Sequence, residues 1–182
     1  MLFFIVLCET GLVVAPFLPG DSLILGSASL ASTGLLNIYT LWLVIVCAAI
    51  MGDALNFSVG KWLGKDLFKN PNSKWLNPRY LHQAQIFYQK HGGKTIVLAR
   101  FMPVLRSFVP FVAGMSKIPY PKFLTYNVLG ALLWVSFFST LGYFLGQLPI
   151  VQKHLSAILL LVILLSALPF IIAFIKGIML KK

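Results

Sequence analysis

Four ionisable side chains stand inside apolar sequence: Glu9 in "VLCETGLVV", Asp53 in "AAIMGDALNF", and Arg100 and Arg106 in "VLARFMPVLRSFVP". A fifth, Asp21, sits in the broken stretch "PFLPGDSLILG". A charge at membrane depth costs about 2.5–3.5 kcal/mol on insertion scales. Each is therefore expected to face protein or water and to find a partner. Three of the four acids in the whole chain lie in apolar stretches, which is the wrong place for acids that serve solubility. Arginine offers planar, paired donors, so Arg100 and Arg106 are the candidates to bind an anionic headgroup, most simply a phosphate. Glu9 and Asp53, partly desolvated, are the candidates to exchange protons, with Asp21 and Asn56 as accessory candidates. The alternative is that acids and arginines pair only to hold the fold together, and both readings stay open at this stage.

Arg100 and Arg106 are six residues apart. On a straight helix that is about 240° of rotation, so they would point apart. A break at Pro103 would let both face one cavity.

The elements that position these groups belong to a membrane. The chain has 182 residues, 59% of them hydrophobic, and a mean hydropathy of +0.89. No soluble domain of this size buries so much apolar surface. The net charge of +11 comes from 15 Lys and Arg against four acids. The basic residues flank apolar runs, which fits orientation by positive-inside loops and attraction to anionic lipid better than nucleic-acid binding. Cys8 and Cys47 lie far apart in apolar runs and read as small buried residues. The start has no basic region and no cleavage site, so it is not read as a signal peptide; it opens abruptly in an apolar run, and a preceding segment is expected.

The expected fold is an all-α integral membrane protein with an inverted repeat: two re-entrant helical hairpins, transmembrane helices and an interfacial amphipathic helix. The whole chain reads as one transmembrane domain. Its first repeat covers 8–64, with a re-entrant segment at about 8–34. A basic cytoplasmic region at 65–94 carries the amphipathic helix. The second repeat covers 95–148, with a re-entrant segment at about 95–116, and a final transmembrane helix covers 155–175. Pro16, Pro19 and Gly20 are expected to form the first hairpin, and Pro103, Pro110 and Gly114 the second. The basic tail predicts a cytoplasmic C-terminus. Counting back from it, 34–37 fall outside and Lys117 and Lys122 inside, so 95–116 enters and leaves on one face. "SVGKWLG" at 58–64 matches "TLGYFLG" at 140–146, each with a GxxxG that permits close helix approach. Two halves with corresponding broken segments are what an inverted-repeat transporter shows.

Other motifs fail. "HGGKT" lacks the earlier glycine of a phosphate-binding loop, and His82, His91 and His154 lack metal-ligand spacing. No nucleophile, histidine and acid come together, so no catalytic residue, metal or cofactor is expected, and the chain does not read as an enzyme.

Four blocks resemble the bacterial DedA family, within the wider group carrying the SNARE-associated (VTT) domain. They are "ETGLVVAPFLPGDSLI" at 9–24, "GDALNFSVGKWLG" at 52–64, "FYQKHGGKTIVLARFMPVLRSFVPFVAGM" at 87–115 and "YNVLGALLWVSFFSTLGYFLG" at 126–146. The likeness is closest to the DedA subgroup. It implies inverted repeats with re-entrant hairpins in the bacterial inner membrane, and lipid translocation between leaflets. It also implies a lipid partner such as undecaprenyl phosphate or a phospholipid, dependence on the proton motive force, and essential groups at Glu9, Asp53, Arg100 and Arg106. The leading expectation is a proton-coupled flippase for a lipid phosphate. The alternatives are a passive phospholipid scramblase or phosphatidylethanolamine flippase, and a non-transport protein of the envelope. Protons and membrane lipid are the expected partners, nucleic acid is not, and homo-oligomerisation is left open.

Overall fold

The computed structural model describes residues 2–11, 20–67, 92–115, 118–149 and 151. Pro16, Pro19, the amphipathic helix expected within 65–94 and the span expected at 155–175 lie outside the described residues, apart from the edges of 65–94. The described chain is helical: α1 (Leu2–Gly11), α2 (Gly20–Ser32), α3 (Ile38–Leu67), α4 (Lys94–Ala99), α5 (Pro103–Met115) and α6 (Tyr120–Gln147).

Two of these helices are long and apolar enough to cross a membrane, α3 over Ile38–Trp62 and α6 over Tyr120–Gln147. They overlap the long apolar runs of the sequence at 38–63 and 123–148. Exposed apolar residues recur at helical spacing on one face of each. They are Met51, Leu55, Val59 and Trp62 on α3, and Leu129, Leu133, Phe137, Leu141 and Phe144 on α6. Apolar side chains left outward along a full span are what a lipid solvent favours. The start of α3 is capped by Asn37, whose Oδ1 accepts from the backbone N–H groups of Tyr39 (2.9 Å) and Thr40 (3.2 Å). Gly34, at φ 83°, ends α2 with a left-handed residue, where a side chain would be strained.

The chain divides into two compact units. One holds Phe3–Pro16 and Val46–Trp134, and the other holds Phe17–Ile45 and Val135–Lys182. The core of the first unit is Phe57, Ile96, Ala99, Val109, Val112, Ala113 and Phe123. Phe57 and Phe123 stack with ring centroids 4.4 Å apart. Backbones meet within this unit at glycines. A Cβ on Gly60 would collide with the Phe111 carbonyl, and one on Gly114 with the Phe57 carbonyl. A Cβ on Gly52 would collide with the Thr10 side chain. In the second unit, Gly142 lies against Leu25 and Ala28, and Gly146 against Ser29 and Ser32. The two GxxxG signals thus mark close crossings of α3 with α5 and of α6 with α2.

The second broken segment differs in detail from expectation. The break falls at 100–102, between α4 and α5, where Arg100, Phe101 and Met102 N–H groups turn to the carbonyls three residues back. Pro103 opens α5, where its missing N–H costs nothing, and it disfavours helical geometry at Met102. Pro110 and Gly114 are not hairpin turns: both lie inside α5. Pro110 removes the N–H that would otherwise bond the Arg106 carbonyl. Gly114 serves the α3 crossing instead.

Gly114→Ala is expected to lower stability by about 1–3 kcal/mol through overpacking against a backbone that cannot give way. Thermal unfolding in detergent measures it, with lipid-facing Leu55→Ala as the control. An unchanged midpoint for Gly114→Ala would remove the α3–α5 crossing as described.

Candidate functional site

Glu9, Asp53, Asn56, Arg100 and Arg106 are all buried in the first unit. Asp53 and Asn56 are three residues apart on α3, hence on one face. Asp53 Oδ2 accepts from Arg100 Nη2 at 2.6 Å. The same nitrogen donates to Asn127 Oδ1 on α6 at 2.5 Å. Asn127 Nδ2 in turn donates to the Ile50 carbonyl of α3 at 3.1 Å. Asp53 and Arg100 are 1% and 2% exposed, so this pair is sealed from solvent. Gly130 makes room for it: a Cβ there would stand 3.0 Å from Arg100 Cδ and 3.1 Å from Nε.

The second pair joins Glu9 and Arg106. Arg106 Nη1 stands 3.4 Å from Glu9 Oε1, and the Arg106 guanidinium carbon lies 4.1 Å from the Trp134 ring centre. This geometry is a cation–π contact on a fully buried ring. Asn56 ties the two pairs together. Its Nδ2 donates to the Thr10 carbonyl (3.2 Å) and the Ser107 carbonyl (2.8 Å), joining α1, α3 and α5 beside Glu9 and Arg106.

The break at 100–102 is what lets both arginines join one cluster. Asp21 sits in the first turn of α2, in the second unit, where an acid suits the helix N-terminus. Asn127 and Trp134 are cluster members that residue-type reasoning passed over. Asn127 had a signal, being a lone carboxamide deep in the apolar run of α6. Trp134 had none, because a tryptophan in a membrane helix is unremarkable.

Several polar atoms of the cluster have no hydrogen-bond partner: Arg100 Nε and Nη1, Asp53 Oδ1 and Asn56 Oδ1. The site thus holds donor capacity for an oxyanion in a setting of low dielectric. Among the described residues no group of three His, Cys, Asp or Glu side chains comes together to hold a metal.

Removing one partner of a buried pair leaves an uncompensated charge, at a cost of about 3–5 kcal/mol. Asp53→Leu is therefore expected to lower the yield and thermal midpoint of the purified protein. The double variant Asp53→Leu/Arg100→Met is expected to recover much of both. If the single variant matches the wild type, the pair carries no structural weight.

A family model for the VTT domain matches residues 18–144. Protein DedA of Escherichia coli (strain K12) is 51% identical over 97% of this chain and 81% of its own length. The uncharacterized membrane protein ML0287 of Mycobacterium leprae is 38% identical over 93% of this chain and 76% of its own. The inner membrane protein YqjA of Escherichia coli (strain K12) is 34% identical over 85% and 70%. No solved structure matches the chain. With the VTT domain match covering α2 and reaching into the last turns of α6, and relatives over nearly its full length, the chain belongs to the DedA family of membrane proteins.

Proposed function

We propose that this protein is a proton-coupled lipid transporter of the bacterial inner membrane that moves a lipid phosphate, such as undecaprenyl phosphate, between leaflets. The carrying observation is the sealed Asp53–Arg100 pair with Arg100 Nε and Nη1 uncommitted. A structural pair alone gains nothing from leaving buried donors unmet, since each costs about 1–3 kcal/mol. In the proposed cycle, protonation of Asp53 or Glu9 loosens its arginine. The freed guanidinium takes the phosphate, the lipid tails stay in the bilayer, and headgroup release restores the ion pair. The lipid crosses chemically unchanged, so the activity is not enzymatic.

The element lengths support an inverted repeat with re-entrant hairpins. Two shorter described helices followed by a long apolar one occur in the same order twice, as α1–α3 and α4–α6. Single-cysteine labelling in cells tests this: Leu35→Cys is expected to react from outside and Lys122→Cys only from the cytoplasm. Labelling of both from one side would sink the inverted arrangement.

Reconstitution in liposomes tests the activity. Undecaprenyl phosphate is expected to flip faster than phosphatidylethanolamine, and faster still with an imposed pH gradient. Glu9→Gln is expected to abolish the gradient effect. Transport indifferent to both would leave a passive scramblase. The direct ion pairs also favour a second reading, in which the charges only hold the fold. Arg106→Lys separates the two: loss of planar donors and of ring stacking is expected to lower transport by about tenfold or more while folded protein persists. Full transport by Arg106→Lys would argue against phosphate recognition by this arginine.

A further inference from the structure

We propose that Asn127 is the positioning residue of Arg100, keeping its guanidinium aimed when Asp53 lets go; this rests on the reading of Arg100 as an oxyanion-binding group. Asn127 is fully buried in α6. Its Nδ2 donates to the Ile50 carbonyl, so its Oδ1 must face Arg100. The flipped amide would set donors against donors, so the orientation is determined by chemistry.

The consequence lies in how the guanidinium forks are shared. Nη2 carries two hydrogens, one in the fork with Nε and one in the fork with Nη1. Asp53 Oδ2 and Asn127 Oδ1 are both bonded to Nη2. The Ala49 carbonyl stands 3.5 Å from the same nitrogen, too far to compete with the two short acceptors; with one hydrogen each, Asp53 and Asn127 half-occupy both forks, and Nε and Nη1 are uncommitted. No fork is then open for the two parallel bonds an oxyanion prefers. Departure of the Asp53 oxygen clears one whole fork while Asn127 still grips the other hydrogen of Nη2. A neutral amide suits this task. It holds the cation without cancelling its charge, which a second carboxylate would do. Asn127 thereby separates the position of Arg100 from its neutralisation.

The chain has three arginines, Arg79, Arg100 and Arg106, so guanidinium signals of 15N-arginine-labelled protein in nanodiscs can be assigned by substitution. The Arg100 Nη protons are expected to be resolved in the wild type, because both ends of Nη2 are held. They are expected to merge in Asn127→Leu and to stay resolved in Asn127→Asp, which keeps an acceptor oxygen. Affinity of the purified protein for undecaprenyl phosphate, against an undecaprenol control, is measured in parallel. It is expected to fall about tenfold in Asn127→Leu, the scale of a hydrogen bond to a charged group. It is also expected to fall in Asn127→Asp, where the added charge competes with the phosphate. Resolved signals in Asn127→Leu would overturn the proposal, as would merged signals with unchanged affinity. A wild type that prefers neither lipid would instead overturn the oxyanion reading beneath it, with the signals still reporting whether Asn127 holds Arg100.

Discussion

An ion cannot be left alone in a hydrocarbon layer, and the buried Asp53–Arg100 pair is where this chain meets that constraint most severely. Asp53 lies mid-way along a helix long enough to span the bilayer, and its partner must be brought to it. The break between α4 and α5 does this by lifting Arg100 out of helical register with Arg106. Gly60 and Gly114 let α5 approach α3 backbone to backbone, and Gly130 clears space for the arginine stem. In lipid no hydrophobic force drives helices together, so close contact at small residues and polar bridges must do so. The glycines and the charges are therefore parts of one solution.

The two arginines are held by different physics. Arg100 is gripped by short hydrogen bonds to a carboxylate and an amide. Arg106 stands at 3.4 Å from Glu9, beyond the ordinary length of a charge-assisted hydrogen bond, and lies over the face of Trp134. A ring face attracts a cation without fixing its direction as a hydrogen bond does. Arg100 moves only if its acceptors change.

Much of this was legible in the sequence because lipid leaves so few choices. Long apolar runs became α3 and α6 to within a turn at each end, and Glu9, Asp53, Arg100 and Arg106 converged as their cost demands. The details that escaped are those set by tertiary contact. Pro110 reads as a breaker, yet α5 continues through it, since a helix inside a packed unit tolerates one lost hydrogen bond. Gly114 reads as a turn residue, yet its role is a crossing that only the position of α3 reveals. Asn127 and Trp134 carry no charge, so an inventory of charges could not find them. Their importance comes from what lies opposite.

The cluster also has an unequal ancestry along the chain. Both of its acids, Glu9 and Asp53, precede the basic stretch at 61–94, and both of its arginines follow it. Asn56 and the Thr10 carbonyl come from the first half, and Asn127, Ser107 and Trp134 from the second. Either half alone would carry two buried charges of one sign with nothing to neutralise them. Folding of the first unit is therefore cooperative between halves by electrostatic necessity, since neither can seal its charges before the other arrives. The same division means that a perturbation on one side, such as a proton on an acid of the first half, is felt at once by an arginine of the second.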